Sequence, residues 1–175
     1  MFKEIFKFEL NYRKKRAATY LYFGIIFLMC FLAVTTDVVR IGGAVGQVKQ
    51  NSPIVITQMS LIVSVFLCLI ASAVMGVAVL RDFEHNTEAI LFSTPMKKFD
   101  YLMGRFWGSF MILLFIGSAI WVAFILGDLM WWRDKEKLLP INLWNYLQPF
   151  FIFVVPNLLF SAERSTHKKE SPRKK

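Results

Sequence analysis

Two uncharged apolar runs, Ala17 to Thr36 (AATYLYFGIIFLMCFLAVTT) and Ile54 to Leu80, constrain this chain more than any other feature. An α-helix rises about 1.5 Å per residue, so either run is long enough to cross a hydrocarbon core of about 30 Å. No water pairs with backbone N–H and C=O groups inside a bilayer, and only helices and closed barrels satisfy them internally. Long continuous runs choose helices. The second run is long enough to require tilt or a helix continuing past the membrane. Phe106 to Gly127 is a third candidate span. Leu138 to Ala162 is a fourth, interrupted by Pro140, Pro149 and Pro156 and by Asn142, Asn145, Gln148 and Asn157, so a kinked or partly re-entrant segment is open there. With 56% hydrophobic residues and a mean hydropathy of +0.49, the chain has more apolar surface than one soluble core needs, and the excess must face lipid. The expected fold is all-α, a polytopic membrane bundle of about four transmembrane helices occupying residues 17–162.

A net charge of +9 raises nucleic acid as a partner, but the basic residues lie beside the apolar runs, where they suit anchoring to anionic headgroups better than a DNA groove. Segments 1–16, 81–105 and 163–175 carry sixteen of the 21 Lys and Arg residues, and segments 37–53 and 128–137 carry five. The positive-inside rule therefore puts both termini and the middle segment in the cytoplasm. Trp131, Trp132 and Trp144 flank the second outer loop, where interfacial aromatics are favoured. The first run is too long for the apolar part of a signal peptide and no A-x-A-like site follows, so it is expected to be retained. Cys30 and Cys68 fall inside apolar runs and read as small buried hydrophobes.

Residues 1–16, MFKEIFKFELNYRKKR, do not span. At 100° per residue, Phe2, Ile5, Phe6, Phe8, Leu10 and Tyr12 cover one side, broken by Glu9, and Lys3, Glu4, Lys7, Asn11 and Lys14 cover the other. An amphipathic helix lying in the inner interface and leading into the first span is expected. The alternative is a plain positive flank with incidental periodicity.

Residues 81–105, RDFEHNTEAILFSTPMKKFDYLMGR, form the only sizeable polar segment between spans on the cytoplasmic side. Asn86 or Thr87 can cap a short helix, Glu88 suits its positive end, and Pro95 stops it after about two turns. Such a helix at the inner surface can pass force from a partner to the spans it joins; a capped connector without a partner is the competing reading.

The order of elements, namely an amphipathic leading helix, two spans, a short inner helix and further spans, resembles the permease subunit of type-2 ATP-binding-cassette exporters. The inner segment carries the resemblance most specifically. Glu84, then Asn86-Thr87-Glu88, Leu91, Pro95 and Gly104-Arg105 are similar to that family's loop of Glu, Gly-Thr, Leu-Leu, Pro and Gly-Lys, with Asn86 in place of Gly and Arg105 in place of Lys. The resemblance covers roughly residues 1–160. It implies that the leading helix, whose interfacial face carries Phe2, Ile5, Phe6 and Leu10, and the 81–105 segment meet a separate ATPase subunit, with the short helix as coupling helix. It also implies a second permease subunit or half, and ATP and magnesium held by the ATPase alone, in a bacterial inner membrane. Glu84 and Glu88 are the candidates for polar contacts with that subunit, and Thr87 for the cap.

The residues themselves supply no chemistry. There is no G-x-x-x-x-G-K-[ST] to hold a nucleotide and no H-E-x-x-H, so neither ATPase nor peptidase activity is expected in this chain. Glu84-His85-x-x-Glu88 has acids and a His close together, yet only two histidines occur and no Cys lies nearby; a solvated charged segment is the better reading, and no metal is expected. The run Ile41 to Gly46 hints at a dinucleotide fingerprint but follows no strand. The spans lack Asp, Glu, Lys and Arg, which disfavours an ion-coupled carrier, since such carriers keep charge in their pathway. The final ERSTHKKESPRKK, with eight charged residues of thirteen, is expected to be disordered. Four spans against the family's typical six suggest a truncated permease half; an ordinary lipid-anchored tail is the alternative, and a structural or accessory membrane protein is the rival function.

Overall fold

The computed structural model describes residues 2–36, 49–84, 98–133 and 135–167. All regular structure among them is helical: α1 (Phe2–Lys14), α2 (Ala17–Thr35), α3 (Pro53–Glu84), α4 (Lys98–Asp128), a 3₁₀ turn (Lys135–Lys137), α5 (Leu143–Pro149), a π turn (Phe150–Val154) and α6 (Val155–His167). Four stretches, Ala17–Thr35, Pro53–Met75, Tyr101–Asp128 and Leu143–Arg164, are long and apolar enough to cross a membrane. The chain is an all-α bundle of multi-pass membrane character.

Helix α4 is the hub. It packs along α2 on one side and along α1, α3 and α6 on others, while α2 and α3 barely touch. Its Leu113, Ile116, Ala119, Ile120 and Ala123 are wholly buried. In lipid, helices are not driven together by exclusion of water but by close packing, which small residues permit. Gly117 illustrates this: a methyl group there would stand 3.2 Å from Leu67 of α3 and 3.3 Å from Phe150. At Gly127 it would stand 2.9 Å from Val34 of α2. Phe115 of α4 stacks on Phe23 of α2 with ring centroids 5.0 Å apart. Phe115 of α4 therefore sits beside Phe23 of α2 and Gly127 beside Val34, so α2 and α4 run in the same direction.

The polar segment between the second and third spans is shorter than the sequence suggests. Residues 81–84 continue α3 and residues 98–105 already belong to α4, because nothing in RDFE or KFDYLMGR breaks a helix. The fourth span differs in the opposite sense: residues 138–142 precede the helix, which starts at Leu143 with the Asn142 side chain accepting from the Trp144 N–H at 3.1 Å. From there it is helical through both interior prolines. Pro156 has no N–H to donate and its ring opposes the carbonyl four residues back. The chain answers with a wider turn, in which the Val155 N–H donates to the Phe150 carbonyl. Asn157 then turns its amide to the Ser64 hydroxyl of α3, 3.3 Å away, which satisfies a polar group that lipid could not.

Candidate functional site

The α1 end of the bundle is where the described sequence candidates fall. Ile5 lies against Gly104 and Glu9 lies against Gly108, so successive turns of α1 and α4 meet in order and the two helices run side by side in one direction. A methyl group on Gly104 would stand 3.0 Å from Ile5, and one on Gly108 only 2.9 Å from the Glu9 Cβ. The carbonyls of Phe2 and Phe6 lie 3.3 and 3.4 Å from the same two positions. The segment Gly104-Arg-Phe-Trp-Gly108 is a G-x-x-x-G face that lets backbones approach, and α1 is its occupant.

Glu9 sits at the centre of this contact. On the helical wheel it interrupts an apolar side, but it is only 1% exposed, because that side faces α4 and not lipid alone. Its carboxylate accepts from Arg13 Nε at 2.8 Å, one turn along, and pairs with Arg105 Nε of α4 at 3.8 Å. Arg13, 8% exposed, sends both terminal nitrogens to the Val74 carbonyl of α3 at 3.3 Å. Arg105 in turn donates to the Tyr101 hydroxyl. Charge-assisted bonds of this kind are the strong ones, and burial makes each partner depend on the others. One carboxylate thus ties α1 to α4 directly and to α3 through Arg13.

The junction with α2 is closed as well. Where the helix breaks after Lys14, the Arg13 carbonyl accepts from the Arg16 N–H and from the Thr19 hydroxyl at 2.9 Å. The exposed side is mainly cationic and aromatic: Lys3, Lys7, Lys14, Lys15 and Arg16 are exposed beside Glu4 and Asn11, Phe8 is 64% exposed, and Arg16 stands over the Tyr12 ring.

Of the residues singled out in the sequence, Phe2, Ile5, Phe6, Gly104 and Arg105 come together along the α1–α4 contact, with Phe2 exposed at its end, while Leu10 is half-buried on α1. Glu84 is the last residue of α3. Asn86, Thr87, Glu88, Leu91, Pro95 and the neighbouring His85 lie outside the described residues, as do the short coupling helix, the Ile41 to Gly46 run and most of the basic tail. Among the described residues no group of three His, Cys, Asp or Glu is placed to hold a metal, and both cysteines are unbridged.

Sequence reasoning missed two things here. Glu9 breaks the apolar side of the helical wheel, yet an acid alone on an apolar face four residues before an arginine is a signal for a buried pair. The G-x-x-x-G was legible too. The opposite end of the bundle holds a second polar cluster that was missed entirely. Asp128, the last residue of α4, pairs with Arg133 and accepts from the Tyr146 hydroxyl of α5 at 2.6 Å. Arg133 also donates to Gln50 at 2.6 Å, and Asn51 binds the backbone of Leu139 through both amide atoms, at 2.8 and 2.5 Å. An acid at a helix C-terminus opposes the helix dipole, and that conflict is the sequence signal that a cation must be near. Compared with known proteins, the chain matches no family model, no curated protein and no solved structure.

Proposed function

We propose that this chain is the membrane-spanning permease component of an ATP-driven exporter of the type-2 ATP-binding-cassette kind, in a bacterial inner membrane with its N-terminus in the cytoplasm. A separate ATPase subunit holds ATP and magnesium and works on the α1 end. The translocation path runs between two such permease subunits or halves, since one small bundle offers little room for a large substrate. The basic flanks meet lipid headgroups, and no nucleic acid is involved.

The observation that carries this reading is the locking of α1 onto the start of α4 beside α3. Helices α3 and α4 are 32 and 31 residues long, against about 20 needed to cross the core, and the extra turns at this end flank the 85–97 connector. A push on that connector or on α1 reaches both long helices through a close-packed, ion-paired joint and is not absorbed by a soft one. The unmatched resemblance in Glu84, Asn86, Thr87, Glu88, Leu91, Pro95, Gly104 and Arg105 points the same way.

Purification from the native membrane tests it. Recovery of a P-loop ATPase that is lost when residues 85–95 are replaced by a Gly/Ser linker supports the exporter. Combining Glu84→Lys with Glu88→Lys then lowers transport-coupled ATP turnover while the chain still accumulates in the membrane. A bundle that purifies intact without any ATPase is a structural or accessory membrane protein instead.

A further inference from the structure

The glycine contact alone does not explain why position 9 is an acid. An alanine or leucine would pack against α4 without the cost of taking a carboxylate out of water. A groove made by two glycines is also permissive: Leu10, half-buried and about 100° further round α1, could seat there if the helix turned by that angle. The ion set removes that freedom, since a carboxylate must meet guanidinium groups at fixed places.

We propose that Glu9 is a positioning residue that holds α1 in one register on α4 and α3, so that the three helices move as a single lever at this end. Its carboxylate engages Arg105 of α4 and Arg13, and Arg13 engages the Val74 carbonyl of α3. With Glu9 neutral, α1 stays near its glycine groove but rotates and slides in it, and force applied to α1 no longer reaches α3. The lever rests on the reading of this end as the one an ATPase drives; the fixed register does not.

The test uses the full chain in nanodiscs, with Cys30→Ala and Cys68→Ala and spin labels on two exposed positions at opposite ends, Lys7→Cys on α1 and Leu126→Cys on α4. With Glu9 intact the label distance is a single narrow peak. Glu9→Gln broadens or splits it, and Glu9→Asp, which keeps the charge but shortens its reach, gives an intermediate width. An unchanged peak in Glu9→Gln overturns the register role. If Glu9→Gln fails to accumulate, Glu9→Asp decides in the same way. These distances need no ATPase, so they stand or fall apart from the exporter assignment. With the ATPase subunit bound, Glu9→Gln keeps ATPase association and loses transport-coupled turnover by about tenfold or more, the loss a free-energy change above about 1.4 kcal/mol produces. Full coupling in a variant with a broadened peak overturns the lever.

Discussion

The two ends of the bundle both bury an acid against arginine, yet they are fastened in different ways. At the loop end, Asp128 pairs with an arginine five residues away, and around it the 49–51 and 137–139 segments are laced by short backbone bonds, including Gln50 N–H to the Lys137 carbonyl at 3.1 Å. At the α1 end the described residues are linked in another way. Three helices are joined by long side chains over a glycine groove, with Glu9 on Arg13 and Arg105 and Arg13 on the Val74 carbonyl. A knot of many local bonds fixes a geometry. A joint made of a few long side chains between helices fixes a register and leaves the bodies around it free to move together. The loop end thus reads as the anchor of the bundle and the α1 end as its handle.

The largest effect that would break this comparison is at the anchor. Asp128→Ala leaves Arg133 and the Tyr146 hydroxyl without their shared acceptor in a buried place. Breaking one side of such a pair costs about 3–5 kcal/mol. A fall of several degrees in the melting temperature of the detergent-purified chain is expected, together with an unchanged label distance between α1 and α4 positions. If Glu9→Gln lowers the melting temperature more than Asp128→Ala, the assignment of anchor and handle is reversed.

The second effect sharpens the handle. Gly108→Ala places a methyl group 2.9 Å from the Glu9 Cβ, with backbone of α1 close behind, so α1 must shift outward. Overpacking of this kind costs about 1–3 kcal/mol. The spin-label peak should move as well as broaden. Gly24→Ala on α2 is the matched control: nothing lies within 4 Å of the added atom, and alanine is the better helix former. Equal effects from the two would mean that α1 does not rest on the glycine groove.

How much of this was readable from residues alone differs between the two ends for a physical reason. Apolar length announces a spanning helix wherever it lands, so the four long helices were legible from hydropathy. Glu9 was visible as an exception, but a wheel shows only which residues share a face, not whether that face meets lipid or another helix. That depended on Gly104 and Gly108, a hundred residues away. Asp128 lies one residue beyond the third apolar run, where hydropathy predicts loop, and it ends α4 instead. Its role needed Tyr146 and Gln50, which no local pattern joins to it. The shift from Leu138 to Leu143 at the start of the fourth span has the same origin: residues 138 and 139 are apolar, but their backbone is engaged by Lys49 and Asn51 and cannot also start a helix.

The smallest effect separates the handle from its hinge. The Thr19 hydroxyl closes the break between α1 and α2 by donating to the Arg13 carbonyl at 2.9 Å, in a place where water has little access. Thr19→Val keeps the shape and removes that one bond, which is worth about 0.5–1.5 kcal/mol. The carbonyl still accepts from the Arg16 N–H, so the loss should sit at the low end. A melting temperature lowered by a degree or two, with the label peak as narrow as in the unchanged chain, is the outcome if Glu9 sets the register of α1. A peak broadened as much by Thr19→Val as by Glu9→Gln would mean that α1 is steered from the α2 junction, and that the ion set at α4 merely follows.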